Sequence, residues 1–168
     1  MNLQLAAVIF DADQPVDALM GAGLEGLPAT GWLQVRLGAE DCDCPDFALR
    51  SLGDGQIRAI SQDLGADAQG CRLDGGALAD VAGELMGVLD RAPRLLVLNR
   101  FGKTEAEGGG MRQVLEGAMS RDIPVLLAVN RRHLDMWRDY AADLAVDLPC
   151  DAAAIRAWAL AALDRPQA

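Results

Sequence analysis

Aromatic side chains are scarce in this chain, with three Phe, three Trp and one Tyr making up 4% of 168 residues. Apolar residues nevertheless reach 51%, so the core must be mainly aliphatic. Such a composition suits close packing of helices on a sheet and argues against a disordered chain. Positive charge is also in short supply: Lys103 is the single lysine, His133 the single histidine, and the formal net charge is -10. That field repels nucleic acid and anionic membrane surfaces, while leaving room for a local cationic patch that holds a small anion. Long apolar runs are missing too. None reaches the roughly 18 residues that span a bilayer, and Met1-Asn2-Leu3-Gln4 lacks the basic region of a secretory signal. A cytoplasmic protein without membrane insertion is expected.

Cysteine is sparse and irregularly spaced. Cys42, Cys44, Cys71 and Cys150 match neither a paired C-x-x-C zinc pattern nor a small disulfide framework, so reduced thiols are expected. Cys42 and Cys44 could give a metal two soft ligands only if Cys71 or Cys150 folded beside them. The ordinary alternative is inert cysteine.

What is present is an alternation of apolar runs with amphipathic stretches. Ala6 to Phe10, Trp32 to Leu37, Arg94 to Leu98, Pro124 to Val129 and Leu144 to Leu148 read as strands. Helices are expected through Val16, Leu19, Met20, Gly23 and Leu27; Leu78, Val81, Leu85 and Leu89; Met111, Val114, Leu115 and Ala118; Leu134 to Ala142; and Ile155, Trp158 and Leu163. Gly31 reads as a break between helix and strand. Gly53-Asp54-Gly55 predicts a hairpin between Phe47–Leu52 and Gln56–Ser61. Asp13, Asp74 and Asp151 are expected helix caps. The pattern predicts one three-layer α/β domain over residues 1–168, with a mostly parallel sheet flanked by helices.

Polar chemistry concentrates where strands end, the usual place for ligand sites in α/β proteins. Asn99-Arg100-Phe101-Gly102-Lys103-Thr104-Glu105-Ala106-Glu107-Gly108-Gly109-Gly110 follows the run Leu95 to Leu98. Its Gly102-Lys103-Thr104 matches the end of the phosphate-binding pattern G-x-x-x-x-G-K-[ST], but the leading glycine is replaced by Val97. Arg100 and Lys103 remain as cations. Gly108 and Gly109 are expected to open a helix whose free N–H groups hold an anion. Arg72 and Arg131, each near a helix start, could add charge. Asp11, Asp13 and Asp17 follow the first strand, where they either serve the helix terminus or hold a metal. His133 reads as a surface residue.

Residues 70 to 74 and 95 to 132 together resemble an uncharacterised bacterial domain family whose genes often lie beside molybdate-uptake genes. That family is similar to the small P-loop nucleoside-triphosphatases first described from thermophiles. The resemblance implies a P-loop-like fold with degenerate Walker motifs. In those enzymes the strand matching Leu95 to Leu98 ends in Asp-Glu, which serve magnesium and water. Asn99 and Arg100 stand there in this chain, while Gly102 and Glu105 match later positions.

Three functions follow as expectations. The first is a binding or regulatory protein for a small oxyanion or nucleotide-like ligand, through the resemblance in molybdenum metabolism. Arg72, Asn99, Arg100, Gly102, Lys103, Thr104, Gly108, Gly109 and Arg131 would form its site. The second is a divergent magnesium-dependent nucleoside-triphosphatase, with Asp11, Asp13 or Asp17 on the metal and Glu105 or Glu107 orienting water. The third is a partner of a transporter ATPase or cofactor-assembly enzyme, or a homo-oligomer. All rest on one spatial expectation: Arg72, Lys103 and Arg131 converge on a single crevice.

Overall fold

The computed structural model describes residues 4–37, 46–60 and 75–166. Arg72, Asp74, Cys42, Cys44 and Cys71 therefore lie outside the described residues. The elements run β1 (Leu5–Phe10), α1 (Val16–Leu24), β2 (Thr30–Leu37), β3 (Asp46–Ser51), β4 (Ile57–Ala59), α2 (Gly75–Leu89), β5 (Leu96–Val97), α3 (Lys103–Ala106), α4 (Arg112–Ser120), β6 (Val125–Asn130), α5 (Leu134–Ala141), β7 (Val146–Pro149) and α6 (Ala152–Leu163).

Among the described residues the strands form one sheet in the order β4-β3-β2-β5-β6-β1-β7. The five strands from β2 to β7 pair in parallel. The expected hairpin, β3 with β4, extends β2 in antiparallel fashion. β1 is apolar along its whole length because both of its faces are covered. Leu5, Ala7 and Ile9 pack with α2, α4 and α5 through residues such as Leu85, Leu115 and Trp137. Ala6, Val8 and Phe10 pack with α1 and α6 through Met20, Ile155 and Trp158. The three-layer architecture is thus a consequence of strand alternation in which both faces are apolar.

Several local expectations change. Gly31 lies inside β2 rather than before it, at φ +136°, paired with Val97. A Cβ there would sit 2.0 Å from the Val97 carbonyl oxygen, so glycine is required for the backbones of β2 and β5 to approach. Asp13 does not cap α1. The cap position is Pro15, without a side-chain hydrogen bond. Asp151 does cap α6, accepting from the Ala154 amide at 2.9 Å.

The connections place a crevice. From β1 the chain crosses β6 and β5 to reach β2, using α1 on one face. From β6 it crosses β1 to β7, using α5 on the other face. The loops leaving the adjacent strands β1 and β6 therefore part in opposite directions at their carboxyl ends, opening a gap at the switch in strand order.

Candidate functional site

The gap is a crevice of about 750 Å³, bounded by Phe10, Ala12, Gln14, Pro15 and Asp17 from the β1 side and by Arg100, Gly102, Asn130, Arg132 and His133 from β5 and β6. Gln34 of β2 closes one end. Each wall has a local reason for its shape.

After β1 the backbone turns back on itself. Gln14 N–H donates to the Asp11 carbonyl at 2.9 Å, and the Asp11 N–H donates to Gln14 Oε1 at 2.7 Å. This small ring holds the Gln14 side chain against the loop and delivers Pro15 to the start of α1, where its missing N–H costs nothing. One turn later Asp17 points across the crevice. Arg100 Nη2 donates to Asp17 Oδ2 at 2.7 Å and Arg100 Nη1 to Asp17 Oδ1 at 3.1 Å. The Gln34 amide donates to Asp17 Oδ1 at 2.9 Å. Arg100 also stacks on Phe10, 4.7 Å from the ring centroid. Beneath it Asn99 is buried, with Nδ2 donating to Gln34 Oε1 at 3.3 Å.

On the β6 side Asn130 ends the strand and turns the chain into one 3-10 turn. Its Oδ1 accepts from the Arg132 amide at 3.1 Å, an Asx cap that sends Arg131 and Arg132 in different directions. Arg132 lines the crevice, whereas Arg131 lines a neighbouring groove beside β7. There Arg131 Nε lies 2.9 Å from Asp11 Oδ1. Arg132 Nε donates to His133 Nε2 at 3.2 Å. Burial and then the neighbouring Arg132 charge lower the His133 pKa, against an opposing pull from Glu105. The neutral ring accepting at Nε2 is the form consistent with both.

The segment from Asn99 to Gly110 differs from its expected form. It forms a single short helix, α3, before α4 begins. The Gly108 amide donates to the Glu105 carbonyl at 3.1 Å and the Gly109 amide to the Thr104 carbonyl at 2.9 Å. These N–H groups close α3, so they do not form the expected anion cradle at the start of α4. Glu105 is buried. Its Oε2 accepts from the Gly102 amide at 3.0 Å and its Oε1 from the Met111 amide at 3.2 Å. Glu105 thus ties both ends of the loop together. Gly110, at φ +56°, leaves room for that carboxylate, since a Cβ would approach Oε1 to 2.3 Å. Lys103 is largely exposed, 4.0 Å from Glu107, and does not line the crevice. Neither Thr104 nor Asn99 lines it either, although Asn99 supports Gln34 from below.

The expected convergence is therefore corrected. Of the cations named from sequence, Arg100 enters the crevice, Lys103 and Arg131 do not, and Arg72 lies outside the described residues. The three aspartates do not gather. Asp17 faces Arg100, Asp11 faces Arg131, and no group of three or more His, Cys, Asp or Glu side chains able to hold a metal occurs among the described residues. Asp11 and Asp17 are engaged by guanidinium groups and do not join Asp13 in a magnesium site. Sequence reasoning passed over Gln14 and Gln34, and of the adjacent arginines at the end of β6 it assigned Arg131 rather than Arg132 to the site. For Arg132 a signal existed: Asn130 two residues earlier has the spacing of an Asx cap that fixes which arginine turns inward.

Comparison with known proteins agrees with this fold. The chain belongs to the family described as "Protein of unknown function (DUF2478)", whose model matches residues 5–158. It is 36% identical over 104 residues to "Molybdenum import ATP-binding protein ModC 2" of Bradyrhizobium diazoefficiens. That match covers 62% of this chain and 12% of the relative, so the chain spans a small part of that protein's length. The crystal structure of THEP1 from the hyperthermophile Aquifex aeolicus superposes with a TM-score of 0.63. The two are 12% identical, and the match covers 88% of this chain and 90% of the other. At that identity the likeness shows the fold alone, and it is the fold that the resemblance in sequence implied.

Proposed function

We propose that this member of the family binds a small anion, an oxyanion or a nucleotide-like molecule, in the crevice between β1 and β6, and that it serves molybdenum metabolism in a binding or regulatory role. The observation that carries the reading is the local excess of positive charge at the carboxyl edge of the sheet. The chain as a whole is strongly acidic. The crevice nevertheless draws together Arg100 and Arg132 with one carboxylate, Asp17, and Asp17 is already neutralised by Arg100. A guanidinium with free N–H groups at the carboxyl edge of a parallel sheet is a suitable anion partner. Likeness to a segment of a molybdenum-import ATP-binding protein supports the metabolic setting.

Phosphoryl transfer is less well supported. Its chemistry depends on a phosphate lysine and on metal-holding acids; Lys103 lies outside the crevice, and Asp11 and Asp17 are paired with Arg131 and Arg100. Glu105 is buried, has both oxygens on the backbone amides of its own loop and does not line the crevice.

Calorimetric titration with molybdate, tungstate, sulfate, ATP and GTP, with and without magnesium, tests the reading. A heat of binding for at least one of them, abolished by Arg132→Ala, is expected. Silence across the panel overturns it. A second reading, a partner of a molybdenum-import ATPase, is favoured by the same partial match; it predicts an altered ATPase rate when this chain is added to the purified transporter.

A further inference from the structure

We infer that the crevice selects tetrahedral dianions bearing no proton, of the molybdate, tungstate and sulfate kind, over hydrogen phosphate. This deepens the anion-binding reading above and rests on it. The argument is a hydrogen-bond inventory of the lining side chains. Every side-chain acceptor there already receives at least one hydrogen bond from the protein. Asp17 receives Arg100 and the Gln34 amide. Gln14 Oε1 receives the Asp11 amide, Gln34 Oε1 receives Asn99, Asn130 Oδ1 receives the Arg132 amide, and His133 Nε2 receives Arg132 Nε.

The donors on the same side chains are unspent. Gln14 Nε2, Gln34 Nε2, Asn130 Nδ2 and the terminal nitrogens of Arg132 make no hydrogen bond among the described residues, and all four side chains line the crevice. The orientation of Gln14 and Asn130 is set by chemistry, because a backbone N–H can only be met by the carboxamide oxygen. Their NH₂ groups therefore face away from that bond. A wall whose donors are wholly free while each side-chain acceptor is already engaged suits a ligand made only of acceptors. A fully deprotonated tetrahedral dianion is such a ligand. Hydrogen phosphate brings an O–H that needs an acceptor, and an unmet donor is costly where water is partly displaced.

The test compares molybdate, sulfate and inorganic phosphate by calorimetry at pH 7.5 on the wild-type chain and on two isosteric variants, Asn130→Asp and Gln14→Glu. Each variant keeps the oxygen that accepts the backbone amide and replaces the outward NH₂ with an acceptor. Thermal unfolding of each checks that the fold is kept. The wild type is expected to bind molybdate and sulfate about tenfold or more tighter than phosphate. The variants are expected to lose more affinity for molybdate and sulfate than for phosphate, so that the preference narrows or reverses. Phosphate binding as tight as molybdate, binding confined to ATP or GTP, or an unchanged preference in both variants overturns the inference while leaving anion binding standing. Absence of heat with every anion and nucleotide overturns the underlying reading as well.

Discussion

Arg100 and Asp17, 83 residues apart, form a two-bond clamp across the crevice, with each Asp17 oxygen meeting its own guanidinium nitrogen at 2.7 and 3.1 Å. Both side chains are about four-fifths buried. The geometry is the one an Arg would use to hold a carboxylate or tetrahedral oxyanion from solution. Asp17 thus occupies, from within the chain, the position an external anion would compete for.

Asp17→Asn is accordingly expected to raise affinity for a tetrahedral dianion about tenfold, because it removes a negative charge from the crevice and frees the Arg100 fork. The same change lowers stability by about 1–2 kcal/mol, since a partly buried guanidinium loses its counter-charge. Calorimetry and urea unfolding read the two effects separately. Unchanged or weaker binding would count against Arg100 as an anion ligand.

Glu105→Gln is expected to act on stability. The carboxylate accepts two backbone amides from opposite ends of one loop. A carboxamide can accept only one of them and sets its own NH₂ against the other, at a cost of about 1–3 kcal/mol. Urea unfolding should show the loss, with anion affinity changed less than twofold once the protein is folded.

Gly31→Ala tests the close approach of β2 to β5. The added methyl meets the Val97 carbonyl at 2.0 Å, at a backbone angle that side chains avoid. Either the strands separate or the residue rotates. A loss of about 2–4 kcal/mol is expected in chemical denaturation.

Tyr140 is the only tyrosine, so its ionisation can be followed without interference from another phenol. Burial, and then the charge and hydrogen bond of Glu116, push its pKa from 10.0 up to about 12. Absorbance at alkaline pH should show the phenol still protonated at pH 11 in the folded chain and ionised in urea. The linkage sign follows from the raised value. The unfolded chain releases its proton first, so this contribution to stability is complete below pH 10 and is lost as pH rises toward 12.

Much of the architecture was legible because it is carried by short-range periodicity. Residues 6–10 and 125–129 are apolar throughout, which marks strands covered on both faces. The stripe of Val114, Leu115 and Ala118 marks the buried side of α4. The Gly53-Asp54-Gly55 turn announced the hairpin, and Asp151 announced the start of α6. Where a glycine was misplaced, as at Gly31, the cause was a close contact with a strand 66 residues further along, which no local pattern records.

The candidate site divides along the same line. Residue order alone located it at the ends of β1, β5 and β6, because alternating apolar runs dictate a parallel sheet and a parallel sheet gathers its polar loops at one edge. Which charges remain free there depended on pairings across the fold. Arg100 meets Asp17, Arg131 meets Asp11 from 120 residues away, and Glu105 turns inward. The Asx turn at Asn130 admits Arg132 rather than its neighbour. Electrostatic and hydrogen-bond partners are chosen by distance in space, so a chain's composition can count its cations and amides but only their folded positions leave some of them unspent.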